Sequence, residues 1–400
     1  MSDTLLILGA TLLGVAGLWW LHRRGGRGWR ATVTPLASII GSGFLVLGPV
    51  LDASYGAWAP LAMLALCAVA WAFGSAIRYN IGVIEAGEDA RGRPETALET
   101  ASSWALAFAY FISVAYYLNL FGAFGVSLTP YDTAFAARVL TSAMLLLILV
   151  VGWTRGFAAL ERVEQVTVSL KLAIIAGLLA GLALHFGRSA SAGSLVFLAP
   201  ERTGWQAVAL LFGLIVTVQG FETSRYLGAA YDARTRIRSM RWSQLLATAI
   251  YVVYICLISY VFERSDLRLE ETAIIDMMEV VAPVLPLMLV AAALAAQLSA
   301  AVADTSGSGG LIAELSAGRI GPRSGYALLV GVGLALTWMA DVFEIIAYAS
   351  RAFALYYALQ SAVALAGARR RGAWPAVQAG FAGLAVLGLL IVVFGVAVEG

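Results

Sequence analysis

The sequence predicts an all-α integral membrane protein of about twelve transmembrane helices, and three observations carry that prediction. Of its 400 residues 61% are hydrophobic and only 12% are charged, with a mean hydropathy of +0.85. Apolar runs of the ~20 residues that a helix needs to cross a bilayer recur along the whole chain, whereas a transmembrane barrel would show short alternating segments. The arginines, finally, fall in the gaps between runs and mostly in alternate gaps, the pattern expected of cytosolic loops.

Taken in order, the first run, 4–21, is followed by HRRGGRGWR. Its basic residues come after the apolar segment and no small-residue cleavage site appears, so it reads as a retained helix and not as a signal peptide. The run 33–53 contains IIGSGFLVLGP, where Gly41, Ser42 and Gly43 precede Gly48 and Pro49. Glycine so placed weakens a helix and predicts an unwound turn. Runs 57–84, 99–128 and 134–153 are uninterrupted spans, and the aromatics Tyr110, Phe111, Tyr116 and Tyr117 of the second are expected to pack. The run 164–186 holds the only lysine of the chain, Lys171. The run 204–230 is interrupted at VQGFETSRYLG, 218–228, where Gly220 stands between Gln219 and Glu222, polar groups that hydrocarbon would not accept. Runs 240–262, 278–310, 324–340, 342–366 and 374–397 complete the set. Within them, Asp304 opens a polar stretch through Ser308 that is either a wet face or the cytosolic end of a long helix. Asp341 and Glu344 sit where a helix begins, a place that favours acids.

An outside N-terminus puts the arginines at 23, 24, 27, 30, 91, 93, 155, 162, 234, 236, 238, 241, 319, 323 and 369–371 on one face, which is then cytosolic. Arg138, Arg188, Arg202, Arg264 and Arg268 fall opposite, so the bias holds on balance. Both termini face outward from a cytoplasmic, or inner, membrane. Glu161, Glu164 and Glu314 lie close to cytosolic arginines and read as interface anchors. Cys67 and Cys256 fall inside spans, His22 and His185 at helix ends, and no metal-ligand, phosphate-loop or nucleophile motif occurs. An enzyme, a cofactor, a metal site and a nucleic-acid partner are therefore not expected; the partners are the lipid bilayer and a small molecule.

Non-helical backbone at membrane depth is tolerated where it lines a cavity or is buried in protein. A break at 41–43 starts a half-helix whose first amides suit a carboxylate, although GxG is also a packing seam between helices. The second break, five spans later, favours a site, because paired interruptions in two halves mark a transporter built on inverted repeats. The chain then divides into an extra N-terminal helix and basic linker (1–30), a first repeat (31–187), an external linker (188–203), a second repeat (204–368), and a basic loop with a final helix (369–400). Lys171 either snorkels to the cytosolic surface or faces the interior, where burial lets a lysine lose its proton as an arginine cannot. Glu222 and Arg225 are three residues apart and near enough to pair; unpaired, Glu222 could take a proton or hold an ammonium group.

IIGSGFLVLGP resembles the first-helix signature of the amino acid–polyamine–organocation (APC) superfamily of transporters, and QGFE resembles its sixth-helix signature. SLKL resembles the fifth-helix lysine of its proton-coupled members, and 298–322 has the length and ending of its eighth helix and following loop. The resemblance spans roughly 31–397. It implies a five-plus-five inverted-repeat bundle (the LeuT-like fold) with broken first and sixth helices, alternating between outward-open and inward-open states. It also implies that Gly41, Ser42 and Gly43 bind a substrate carboxylate, while the backbone from Val216 to Gln219, with Gly220, Glu222 and Asp304 nearby, receives the amino group. Lys171 would reach the carbonyls of Ala37 and Ser38 and the hydroxyl of Ser299, taking the place of the sodium ion of sodium-coupled relatives. The sequence departs from the family at Ala37, usually glycine, at Val216, often aromatic, and at AAYDARTRIRSM, 229–240, in place of an Asn-Pro segment. It also carries an extra N-terminal helix and lacks the usual twelfth core helix. The expectation is a proton-coupled secondary transporter for an amino acid or related amine. Its rivals are an exchanger without net proton movement and a membrane sensor or subunit that keeps the fold without transport.

Overall fold

Every apolar run becomes one helix or one broken pair in the computed structural model, which describes residues 2–24, 26–41, 43–85, 92–154, 158–264 and 269–398. Ser42, Arg91, Arg155 and Arg268, and the side chains of His22, Glu161, Arg162 and Glu164, lie outside the described residues. The helices are α1 (Ser2–Arg24), α2 (Gly26–Ile39), α3 (Gly43–Tyr55), α4 (Ala59–Glu85), α5 (Arg93–Val126), α6 (Ala134–Thr154), α7 (Ala158–Ser191) and α8 (Gly204–Gly213). After these come α9 (Thr223–Tyr226), α10 (Ala233–Ile258), α11 (Ala273–Val281), α12 (Leu285–Leu315), α13 (Pro322–Met339), α14 (Val342–Arg370) and α15 (Pro375–Phe394). Among the described residues nine helical stretches are long and apolar enough to cross a membrane, and no strand occurs. The chain is an integral membrane protein with a five-plus-five inverted-repeat bundle and one additional N-terminal helix.

Two boundaries differ from the sequence expectation. The linker after α1 is nearly absent, because GRGWR already forms the first turn of α2. The run 278–310 is two helices, since Pro283 cannot continue α11; Ala282 is extended and α12 restarts at Leu285 with Pro286 in its first turn, where proline is tolerated.

The bundle is organised around α5, which packs along both α12 and α14. The broken pair α2/α3 lies against α10, and all thirteen residues of α3 are buried. The additional helix α1 rests on α7 through a seam of small residues, with Gly14 against Ala173 and Gly177 against Ile7 and Thr11. Asp3 pairs with both guanidinium nitrogens of Arg188 at 2.5 and 2.7 Å at one end of that seam. Leu5, Leu12 and Leu13 stay exposed on the far side of α1, as a lipid-facing surface requires. α14 starts with a capping box, in which Asp341 accepts from the Glu344 amide and Glu344 accepts from the Asp341 amide.

Candidate functional site

The two breaks meet at the centre of the bundle. α2 ends at Ile39 and α3 begins at Gly43, so the first amides of α3 have no partner in their own helix. The second interrupted span leaves α8 at Gly213, passes through a 3₁₀ turn at Ile215–Val218 and resumes as α9 at Thr223. Gly220 turns the chain with φ +116°, a conformation for which a side chain is unsuited. The breaks press on each other at their glycines: a Cβ on Gly43 would lie 2.8 Å from the Thr217 Cα, and one on Gly220 would lie 2.6 Å from the Ser38 carbonyl carbon.

Side chains from neighbouring helices take up the backbone groups that the breaks release. The Tyr251 hydroxyl on α10 lies 2.9 Å from the Ile39 carbonyl and 2.8 Å from the Thr217 carbonyl, holding one carbonyl of each break. On α14, Ser350 donates to the Gly213 carbonyl at 2.6 Å and accepts from the Val216 amide at 3.0 Å. Glu222 accepts from the Gly220 amide and from the Tyr357 hydroxyl, both at 3.0 Å. The Gln219 amide nitrogen donates to the Tyr117 hydroxyl at 2.9 Å, while its Oε1 is buried with no hydrogen-bond partner among the described residues.

Beside the breaks lies a cavity of about 780 Å³, lined by Ala37, Ser38, Lys171, Ser299 and Asp304 together with Glu99, Tyr110, Arg225 and Tyr226. Lys171 is 6% exposed and its Nζ donates to the Ala37 carbonyl at 2.7 Å, so the ammonium sits against the last turn of α2. Asp304, half-buried, accepts a hydrogen bond from Ser113 on α5. The cavity thus gathers Ala37, Ser38, Lys171, Ser299 and Asp304. Gly43, Val216, Gln219, Gly220 and Glu222 are buried outside its lining, Gly41 is half-buried, and Ser42 lies outside the described residues.

Arg225 resolves an alternative that the sequence left open. Its ion-pair partner is Glu99 on α5 rather than Glu222, and it also donates to Gln360 on α14. Glu99 lines the cavity and Gln360 lies buried behind it, and sequence reasoning passed over both. The signal was present in Glu95 and Glu99, two acids one turn apart in the polar beginning of α5, which starts six residues before the apolar run that announced it.

The mouth of the cavity carries exposed Thr34, Thr100, Tyr226 and Glu314, at the end of the bundle where α12 and α14 finish near Arg319 and Arg369. The opposite end of the broken helix is tied to the segment after α7. The Ser54 carbonyl accepts from the Glu201 and Arg202 amides at 3.1 and 3.0 Å, and the Tyr55 hydroxyl donates to the Ala207 carbonyl at 2.6 Å.

A sequence model described as APC superfamily transporter matches residues 22–395. An uncharacterized protein of Aquifex aeolicus (strain VF5) is 42% identical over 344 residues, which are 84% of this chain and 83% of that one. Among solved structures, a Na⁺-coupled sialic acid symporter in a substrate-bound outward-open state superposes with a TM-score of 0.53 at 15% identity, over 100% of this chain and 99% of the other.

Proposed function

The chain belongs to the APC superfamily of transporters, and from that premise we propose that it carries an amino acid or related amine by alternating access with a proton as coupling ion. The observation that carries this reading is the contact of Lys171 with the Ala37 carbonyl at the edge of the open cavity. A charged ammonium there ties α7 to α2, the half-helix that borders the cavity. Loss of its proton removes the charge-assisted part of that bond and loosens α2. Ser299 on α12 lines the same cavity and offers a second acceptor.

The site for the carried molecule lies where the breaks meet, above the cavity. The carboxylate is assigned to the break before α3, to Gly41, Ser42 and Gly43. Glu222, Asp304, the buried Gln219 Oε1 and the backbone of Val216–Gly220 take an amino group. A neutral or cationic amino acid meets both ends. A dicarboxylate would face the two acids, a repulsion of several kcal/mol at close range in a partly buried site. The halves 31–187 and 204–368 are the two repeats that rock against each other. The arginine-rich end faces the cytosol of an inner membrane with both termini outside, so this conformation is inward-open.

The test is uptake in proteoliposomes. A radiolabelled mixture of neutral amino acids should accumulate when the interior is made alkaline, and Lys171→Ala should abolish that pH-driven component while the protein stays folded. Lys171→Arg should fail as well, since arginine keeps its charge. Wild-type coupling in either variant overturns the reading, and pH-insensitive uptake by the wild type favours an exchanger in which Lys171 is a permanent cation.

A further inference from the structure

Asp52 lies in α3, on the sealed side of the break and away from the cavity, and the reading above makes no use of it. It is 0% exposed, and neither carboxylate oxygen has a hydrogen-bond partner among the described residues. The other acids at the bundle centre are engaged: Glu222 by Gly220 and Tyr357, Asp304 by Ser113, Glu99 by Arg225. A carboxylate buried without partners in a membrane bundle is tolerated only in its neutral form.

The surroundings supply no fixed counter-charge in contact with it. Gly48, one turn before Asp52, packs against the Tyr254 ring of α10, so this face of α3 looks toward α10. Tyr254 reaches the Leu45 carbonyl at 3.5 Å, and Tyr260, past the end of α10, donates to the Ala57 carbonyl at 3.1 Å. Arg264 is the cation whose field reaches Asp52, and it is bound to Glu201 and to the Ala199 carbonyl. On α3 itself Tyr55 is bound to Ala207. α4 brings Cys67, which lies beside Tyr251. Asp276 and Glu279 of α11 are exposed, and the 3₁₀ turns against α3 carry no titratable side chain.

We propose that Asp52 is a proton-operated latch on the outer half of the broken helix: the outer side closes only when Asp52 carries a proton, and Asp52 loses that proton to outer water when α3 moves off α10. The proton returns to the side it came from, so the latch sets the rate and equilibrium of closure and adds nothing to the transport stoichiometry. Opening frees α3 from the Glu201–Arg202 amides and leaves the ionised carboxylate to outer water. The inference rests on the alternating-access reading and not on the role of Lys171 or on the identity of the carried molecule.

The test follows closure directly and needs no substrate. With Cys67 and Cys256 replaced by alanine, a Ser54→Cys probe under the outer seal is exposed to a membrane-impermeant thiosulfonate at rising outer pH, with Ser194→Cys in the exposed linker as the control for reagent chemistry. Relative to that control, labelling of Ser54→Cys should rise with pH, approaching about tenfold per unit, the ceiling for one proton. Adding Asp52→Asn, which keeps the shape and neutrality of the protonated acid, should flatten that rise. The infrared band of protonated carboxyl groups should lose the contribution of one carboxyl in the same variant. A band of unchanged intensity in Asp52→Asn, or a pH-dependent rise that persists in it, overturns the latch. Absence of amino-acid uptake in proteoliposomes would instead bring down the transport reading and leave the labelling result to decide this one.

Discussion

Arg225 is the best-held cation in the cavity wall. Its guanidinium is paired with Glu99 and bound to Gln360, and Gln360 in turn donates to Ser102 at 2.7 Å and accepts from Asn80 at 2.9 Å. Four helices, α4, α5, α9 and α14, are thereby joined through one arginine, which cannot relieve its burial by losing a proton. Glu99→Gln leaves that charge half-compensated beside a wet cavity. Unfolding in detergent should show a loss on the order of 2 kcal/mol, below the full range for a broken buried pair because the cavity supplies water on one side. Arg225→Met combined with Glu99→Gln should recover part of that loss, and additive losses would show that the two residues are not coupled. The spacing of Glu222 and Arg225 left a pair open because it assumed a regular helix. α9 is four residues long between non-helical segments, so the three-residue rule lapses and Arg225 reaches α5 instead. Lys171 was easier to notice, since a lone lysine in an apolar run is conspicuous, and its burial decides for the interior over snorkelling. Asp52 gave no such signal: the acid stands among GPVLDASY with nothing nearby to distinguish it from a helix-end carboxylate.

At the scale of the elements, lipid makes helices legible and proline makes their interruptions legible only in part. All the apolar runs correspond to helices because each span must satisfy its own backbone. The Ala282–Val284 interruption was missed since the hydropathy of the run continues across Pro283 and Pro286. The glycine breaks were read correctly as interruptions, but the mutual packing of the two breaks depends on tertiary contacts that no single segment encodes. That packing ranks the glycines. Gly220→Ala combines a forbidden φ with an approach of 2.6 Å to the Ser38 carbonyl carbon, and Gly43→Ala meets the Thr217 backbone at 2.8 Å. Gly41→Ala meets only the Ser38 oxygen at 3.1 Å. Thermal unfolding should therefore place Gly220→Ala lowest, by about 3 kcal/mol from strain and displacement together, Gly43→Ala next, and Gly41→Ala close to the wild type. An unfolding midpoint for Gly220→Ala equal to that of Gly41→Ala would mean that the breaks do not rest on each other. Gly41 is accordingly the position at which a side chain can probe the proposed carboxylate site without disturbing the junction.

For the whole molecule the decisive asymmetry is between the two halves of the first broken helix. α3 is buried along its full length, with its end bound to the 194–203 segment, whereas α2 borders an open cavity through Ala37 and Ser38. One face of the bundle is therefore closed and the other is wet to the depth of Lys171. The arginine pattern predicts that the cavity faces the cytosol, and the cavity and its proposed orientation are separable by experiment. A cysteine at Ser103, half-buried in the cavity wall near Glu99, should react with a membrane-impermeant reagent in inside-out vesicles and stay unreacted in right-side-out vesicles or spheroplasts. Reaction from the outer face alone would keep the cavity and reverse the topology. Reaction from neither face would mean that the conformation with α2 open is not the resting one. Reaction from the cytosolic face that slows when the inside is loaded with neutral amino acids would join the topology to the transport reading, because the same wall would then be shown to sense what passes the junction of the two breaks.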